Sequence, residues 1–182
     1  MNDKVTYFVW DAESIGLYGE SFAYGYVVIE PDGRGGYETM EEGGACCAPV
    51  NATGIHDDRM WVAENVKTDG LDEVLSTTTL RERFWETWQR WRGRAVMVAD
   101  CPVPVEADFL ARCVRQGNVA KRAWEGAYPF LDVGSIRHAV GLSATESCER
   151  LPDEQPEHHP LMDARQSARL LIEALVRGET GE

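Results

Sequence analysis

The chain has no long apolar run, no CxxC pair and little positive charge. Its hydrophobic stretches fall well short of the ~20 residues that a membrane-spanning helix requires. The amino terminus lacks a basic segment followed by an apolar one, so no secretory leader is expected. The five cysteines, at 46, 47, 101, 113 and 148, are odd in number, and the adjacent pair Cys46 and Cys47 is poorly placed to bridge itself. That pattern suggests neither a disulfide framework nor a zinc site, and a reducing cytoplasm is the expected setting. Lys and Arg number 18 against 31 Asp and Glu, a net charge of −13. Such a balance argues against a protein that binds phosphate backbones over a broad surface. It leaves room for one that grips a few nucleotides through bound cations.

What remains is an ordinary globular composition: 182 residues, 43% hydrophobic and 27% charged. That length suits a single domain and can bury a sizeable core. Residues 5–10, VTYFVW, read as a buried strand, and residues 22–30, FAYGYVVIE, as a second. PDGRGG at 31–36 is a turn by composition, so the second strand should return as a hairpin through YETMEE. Residues 43–79 are punctuated by Gly and Pro, with one short helix expected near DDRMWVAEN. From Leu80 a helix is expected, with Phe84, Trp88 and Trp91 at i, i+4 and i+7 and Gly93 ending it. AVMVAD at 95–100 has strand length. PVEADFLARCVRQG is a helix opened by proline and closed by Gly117. PFLDVGSIRHAVG mixes a short strand with a helical segment, and ERLPDEQPEHHP is a loop. The last segment, LMDARQSARLLIEALVRG, is an amphipathic helix with Leu161, Ala164, Ala168, Leu171, Ile172 and Leu175 in one stripe. A hairpin followed by alternating helices and strands predicts an α/β domain with a mixed sheet.

The first strand ends on WDAESIGL. Asp11 and Glu13 share side-chain parity, because strand side chains alternate with period 2. Two carboxylates this close repel unless a proton or a cation intervenes, and hard oxygen ligands suit Mg²⁺ or Mn²⁺. An exposed strand end with two separate acids is the alternative. The final helix begins HHPLMDAR, with Asp163 in its first turn, where the helix dipole favours an anion. His158 precedes Asp163 by five residues and is placed to act as a general base; His159 reads as a bystander. In the middle of the chain, Asp100 ends a strand and Glu106 opens a helix, and either acid could reach the same end of the sheet.

DAESIGL resembles the DxETTGL motif of the DEDDh 3′–5′ exonucleases, with Asp11 and Glu13 in the two acidic places. HHPLMDA is similar to the family's HxxxxDA motif, with His158 and Asp163 matching in type and spacing. VMVADCPVPVEADFL resembles its middle motif, VAHNxxFDxxFL. There Glu106 takes the place of the aspartate, counting back from Phe109 and Leu110, while Asp100 falls where the family usually has His. The motifs occur in the family's order across nearly the whole chain. The resemblance implies a ribonuclease H-like mixed β-sheet flanked by helices, as a single domain over residues 1–182.

It also implies two Mg²⁺ or Mn²⁺ ions held by Asp11, Glu13, Asp163 and either Glu106 or Asp100. His158 would take the proton from the attacking water, and the terminal phosphodiester of a nucleic-acid 3′ end would be cut. Ser14, Ile15, Gly16 and Leu17 would meet the 3′-terminal nucleotide. Single-stranded RNA is expected over DNA, since no basic surface for a duplex is evident. Arg165 and Arg169 read as solvated or paired helix arginines rather than phosphate contacts. Trp85, Trp88 and Trp91 suit a core or a homodimer face better than base stacking. His56 reads as part of a polar helix start, and Trp61 and Trp124 have no assignable role. A catalytically weak module that binds nucleotides or nucleic acid is the competing expectation, motivated by the altered middle motif. A phosphohydrolase of small nucleotides is a third.

Overall fold

The computed structural model describes residues 5–144 and 148–180. Six strands form one mixed sheet: β1 (Thr6–Ser14), β2 (Ser21–Pro31), β3 (Tyr37–Cys46), β4 (Asp72–Glu73), β5 (Ala95–Ala99) and β6 (Phe130–Asp132). Their order across the sheet is β4-β3-β2-β1-β5-β6. β2 runs antiparallel to both β1 and β3, whereas β4 is parallel to β3, β5 to β1 and β6 to β5. The helices are α1 (His56–Asn65), α2 (Thr77–Trp91), α3 (Val105–Gln116), α4 (Val119–Glu125), α5 (Val133–Ala139) and α6 (Pro160–Thr180).

β1 is the central strand, and its alternation sorts the molecule into two cores. Phe8, Trp10 and Ala12 face α2 and α3 and pack with Tyr24, Phe84, Trp88 and Phe109. Tyr7 and Val9 face the other way and pack with Val27, Ile29, Ala164, Ala168 and Leu171, the last three from α6. Continued by two and four residues, that second parity is the one of Asp11 and Glu13. Sequence alternation thus turns both carboxylates toward the side on which α6 begins.

Gly25 sets how closely α6 approaches. It pairs with Asp11 in the β1–β2 register. A Cβ there would lie 2.2 Å from the backbone nitrogen of Leu161. Only glycine lets the first turn of α6, with Asp163, rest against the sheet beside Asp11.

Several expectations are adjusted. The return strand runs on to Cys46, beyond the YETMEE segment. α2 starts at Thr77 rather than Leu80, because the Ser76 hydroxyl caps it by accepting from the Thr79 amide at 3.2 Å. Trp85, Trp88 and Trp91 are buried within the chain, so they form no dimer face. The five cysteines are free. Among the described residues, no helix is long and apolar enough to cross a membrane.

Candidate active site

The ends of β1, α3 and α6 meet at one point. Glu13, His158 and Asp163 each offer a ligand atom, and these atoms all lie within 4.8 Å of one another. Asp11 belongs to the same group of charges: burial, then the neighbouring Glu106, Glu13, Asp163 and Asp100, hold its carboxyl well above the usual carboxylate range. Burial, and after it Asp163 and Glu106, push Glu13 up to about 8, with Arg150 pulling the other way. Burial also raises Asp163, against the pull of Arg150 and the two histidines.

Of the two candidate middle acids, Glu106 is the one built into this cluster. It is 4% exposed. Its Oε1 accepts the Ala12 amide of β1 at 3.1 Å, which ties the first turn of α3 to the strand between Asp11 and Glu13. Burial lifts its carboxyl to about 7 although that hydrogen bond opposes the rise. Asp100 is exposed at the end of β5, and the next residue, Cys101, donates its amide to Asp132 at 3.0 Å. Cys101 has φ 51°, so the chain turns sharply here.

His158 is held by its loop rather than by a helix. It is exposed, has φ 55°, and its carbonyl accepts the Lys67 amide at 2.8 Å. Its ring stands edge-on to Trp61, with centroids 4.9 Å apart. His159 is no surface bystander: it is 2% exposed, with Nε2 at 2.9 Å from the Asp69 carbonyl. The loop between α1 and β4 therefore clamps the histidine loop at two points.

A cavity of about 400 Å³ opens beside the carboxylates, lined by Glu13, Ser14, Gly16, Leu17, Trp61 and His158, with Val105 at its edge. Of the expected substrate-binding stretch, Ser14, Gly16 and Leu17 line it. Ile15 does not: its side chain is fully buried and its amide donates to the Glu20 carbonyl at 3.1 Å, so it supports the turn from beneath. Gly16 has φ +70°, and a Cβ there would lie 2.0 Å from Asp58 Oδ2. The left-handed backbone favours glycine, and any side chain there would also have to displace the Asp58 carboxylate.

Two residues with no expected role sit in the site. Trp61, on α1 and itself half exposed, forms an apolar wall of the cavity. Arg150, on the loop before α6, places Nη1 2.6 Å from Asp163 Oδ1. Among the described residues it is the only Lys or Arg paired into the acidic cluster. Arg165 and Arg169 are instead paired with Glu42 and Glu154 on the flank of α6.

The donor set fits a hard divalent cation. Carboxylate oxygens from three elements converge, burial and then mutual repulsion drive them toward protonation, and a cavity opens on one side of the group.

No protein-family model and no curated protein matches the chain. Among solved structures it is similar to a moderately thermophilic exonuclease I from Methylocaldum szegediense, with a TM-score of 0.60 and 15% identity. The match covers 93% of this chain and 40% of that one. The fold is the expected one, a ribonuclease H-like mixed sheet flanked by helices. At that identity the likeness is one of fold, and the chain spans well under half the length of the protein it matches.

Proposed function

We propose that the chain is a metal-dependent 3′–5′ exonuclease that acts on single-stranded nucleic acid. One observation carries the reading: Glu13, His158 and Asp163 converge beside Asp11 and Glu106, at the mouth of a cavity with an apolar wall. Asp11, Glu13, Asp163 and Glu106 are the residues that would hold the cations. Bound there, two ions of Mg²⁺ or Mn²⁺ would offset phosphate charge and acidify an attacking water. His158, exposed and with its ring edge-on to Trp61, would accept the proton from that water. Leu17, Trp61 and Val105 bracket the terminal base, and the glycine turn at Gly16 lets the nucleotide approach the backbone closely. A cavity of this size takes one nucleotide rather than a duplex end.

The Arg150–Asp163 pair favours a second reading, a binding module in which an arginine supplies the counter-charge in place of metal. Digestion of 5′-labelled single-stranded RNA and DNA with Mg²⁺ or Mn²⁺ separates the two. A ladder shortening from the 3′ end, lost in Asp11→Asn and His158→Ala, is the expected result. Intact oligonucleotides with folded protein in both metals would remove the exonuclease reading.

A further inference from the structure

One helix connects the nucleotide cavity to a second pocket. α3 buries Glu106, Phe109 and Cys113 and turns Val105, Asp108, Arg112 and Arg115 outward. These four lie at i, i+3, i+7 and i+10, a single stripe on the helix surface. Val105 borders the nucleotide cavity. Arg112 and Arg115 line a pocket of about 430 Å³ together with Arg81, Thr78 and Gln116. At 1.5 Å rise per residue, the stripe spans about 10 Å from Val105 to Arg112 and about 15 Å to Arg115.

The composition of this pocket is unlike the rest of the molecule. Acids outnumber Lys and Arg by 31 to 18 in the chain, yet three of the five lining residues are arginines and none is an acid. Arg81 is fixed: it pairs with Glu20 at 2.6 Å, and its Nε donates to Gln116 Oε1 at 2.6 Å. Arg112 is tied to Asp108, one turn back on the stripe, at 2.5 Å. The pair offsets the negative charge of Asp108 on the stripe. Arg115 is exposed and has no ion-pair partner among the described residues. Glu20 donates its amide to Thr53 and its carbonyl accepts the Ile15 amide, so Arg81 is anchored to the same turn that floors the nucleotide cavity.

We propose that Arg112 and Arg115, backed by Arg81, form a subsite for the backbone phosphates of the same strand whose 3′ end occupies the cavity. This rests on the exonuclease reading and sharpens it. The substrate class is a single strand several nucleotides long, rather than a mononucleotide or a dinucleotide. Specificity here is for phosphate spacing and not for base identity, because the pocket offers guanidinium groups and no aromatic face.

The test is fluorescence anisotropy with 5′-labelled RNA and DNA of two to eight nucleotides. It uses Ca²⁺ to slow cleavage, with a gel to show that the probes are intact. Affinity should rise with length. Each phosphate contact to a single strand adds about 0.7 to the negative slope of log affinity against log salt. The double variant Arg112→Gln/Arg115→Gln should lower that slope by about 1.4 for the eight-nucleotide probe. At 0.1 M salt this corresponds to roughly 25-fold weaker binding. Arg115→Gln alone, at an exposed site that cannot unfold the protein, should lose about 5-fold. The lysine double variant should keep most of the slope.

Equal affinity for two and eight nucleotides, or a double variant that keeps slope and length dependence, would overturn the subsite. Digestion from the 3′ end would then still support the exonuclease reading. Failure to bind or digest any length would remove that reading itself. If inorganic phosphate raises the melting temperature through Arg115 while probe length has no effect, the pocket is a free-anion site and the proposal is wrong.

Discussion

The metal-free protein should become less stable as pH rises from about 6 to 8, and a divalent cation should reverse this. Glu13 and Glu106 titrate at about 8 and about 7, whereas ordinary glutamate titrates near 4.5. Burial is the first cause for both, and for Glu13 the neighbouring acids add to it. Between these limits the folded chain holds protons that the unfolded chain has already released. A carboxyl raised by folding therefore contributes its stability below the unfolded value and loses it as pH passes through the folded value. Together the two groups hold on average between one and two excess protons across this window, and at about 1.4 kcal/mol per proton and pH unit this costs about 3–4 kcal/mol. For a chain of this size each kcal/mol is worth ~2–4 °C, which gives a fall of about 6–16 °C in Tm.

A cation that binds the carboxylates displaces those protons. At 100 times its Kd it stabilises by about 2.7 kcal/mol. The shift should be large at pH 8 and small at pH 5.5, where protons compete for the same oxygens. Scanning calorimetry in EDTA, Mg²⁺ and Mn²⁺ from pH 5.5 to 8.5 reads both effects. Asp11→Asn should raise the metal-free Tm at pH 8 and abolish the metal shift, because it removes a crowded charge and a ligand together. A metal-free Tm that is flat or rising across this window, or a metal shift equal at both ends, would refute the electrostatic account of the site.

Other substitutions probe its parts. Trp61→Ala removes an aromatic wall worth about 1–3 kcal/mol per stacked base, so KM for a short oligonucleotide should rise roughly 5- to 150-fold. An unchanged KM in steady-state digestion would show that the base lies elsewhere. Arg150→Ala leaves Asp163 without its ion-pair partner and should destabilise the metal-free protein by about 1–3 kcal/mol at pH 8. Saturating Mg²⁺ should recover most of that loss in the same melting assay, whereas a loss that persists would make Arg150 a structural support. Gly25→Ala drives a Cβ to 2.2 Å from the Leu161 backbone. Overpacking of this kind costs about 1–3 kcal/mol, and the displaced start of α6 should also lose the metal shift. Glu106→Gln keeps the acceptor for the Ala12 amide but not the charge. It should leave the metal-free fold intact and weaken metal binding in a calorimetric titration.

Where hydrophobic period and strand parity speak, the sequence is legible. β1, β2, β5, α3 and α6 fall where their patterns place them, and the period of 2 alone turns Asp11 and Glu13 to the same side. The segment from 43 to 79 resists this reading for physical reasons. Gly43 and Gly44 look like punctuation, yet they extend β3. At Gly44 a Cβ would lie 2.4 Å from the Tyr24 carbonyl, so glycine serves close strand packing and not a turn. α1 buries only Val62, which gives it no apolar stripe to detect. Trp61 therefore had no context until α1 was seen beside His158. Spacing to Asp163 singles out His158, but the burial of His159 is not legible: one faces the site and the other is buried, a division set by the loop around Lys67 and Asp69. Arg150 lies on an irregular loop, and nothing short of tertiary structure brings it to Asp163.

Net charge was the least informative sequence feature, and α3 shows why. An excess of acid argues against broad binding of a phosphate backbone, and it does so by summing over the surface. A single strand touches only a path. On α3 the inward face fixes Glu106 against β1, while the outward face carries Arg112 and Arg115 about 10–15 Å from the cavity edge. The same dozen residues thus set an acid where a cation would bind and set cations where a phosphate would follow. An acidic surface elsewhere does not weaken that path, because charges beyond a Debye length of about 8–10 Å are largely screened. The sum excludes a broad binder, while the arrangement on one helix still admits a narrow one.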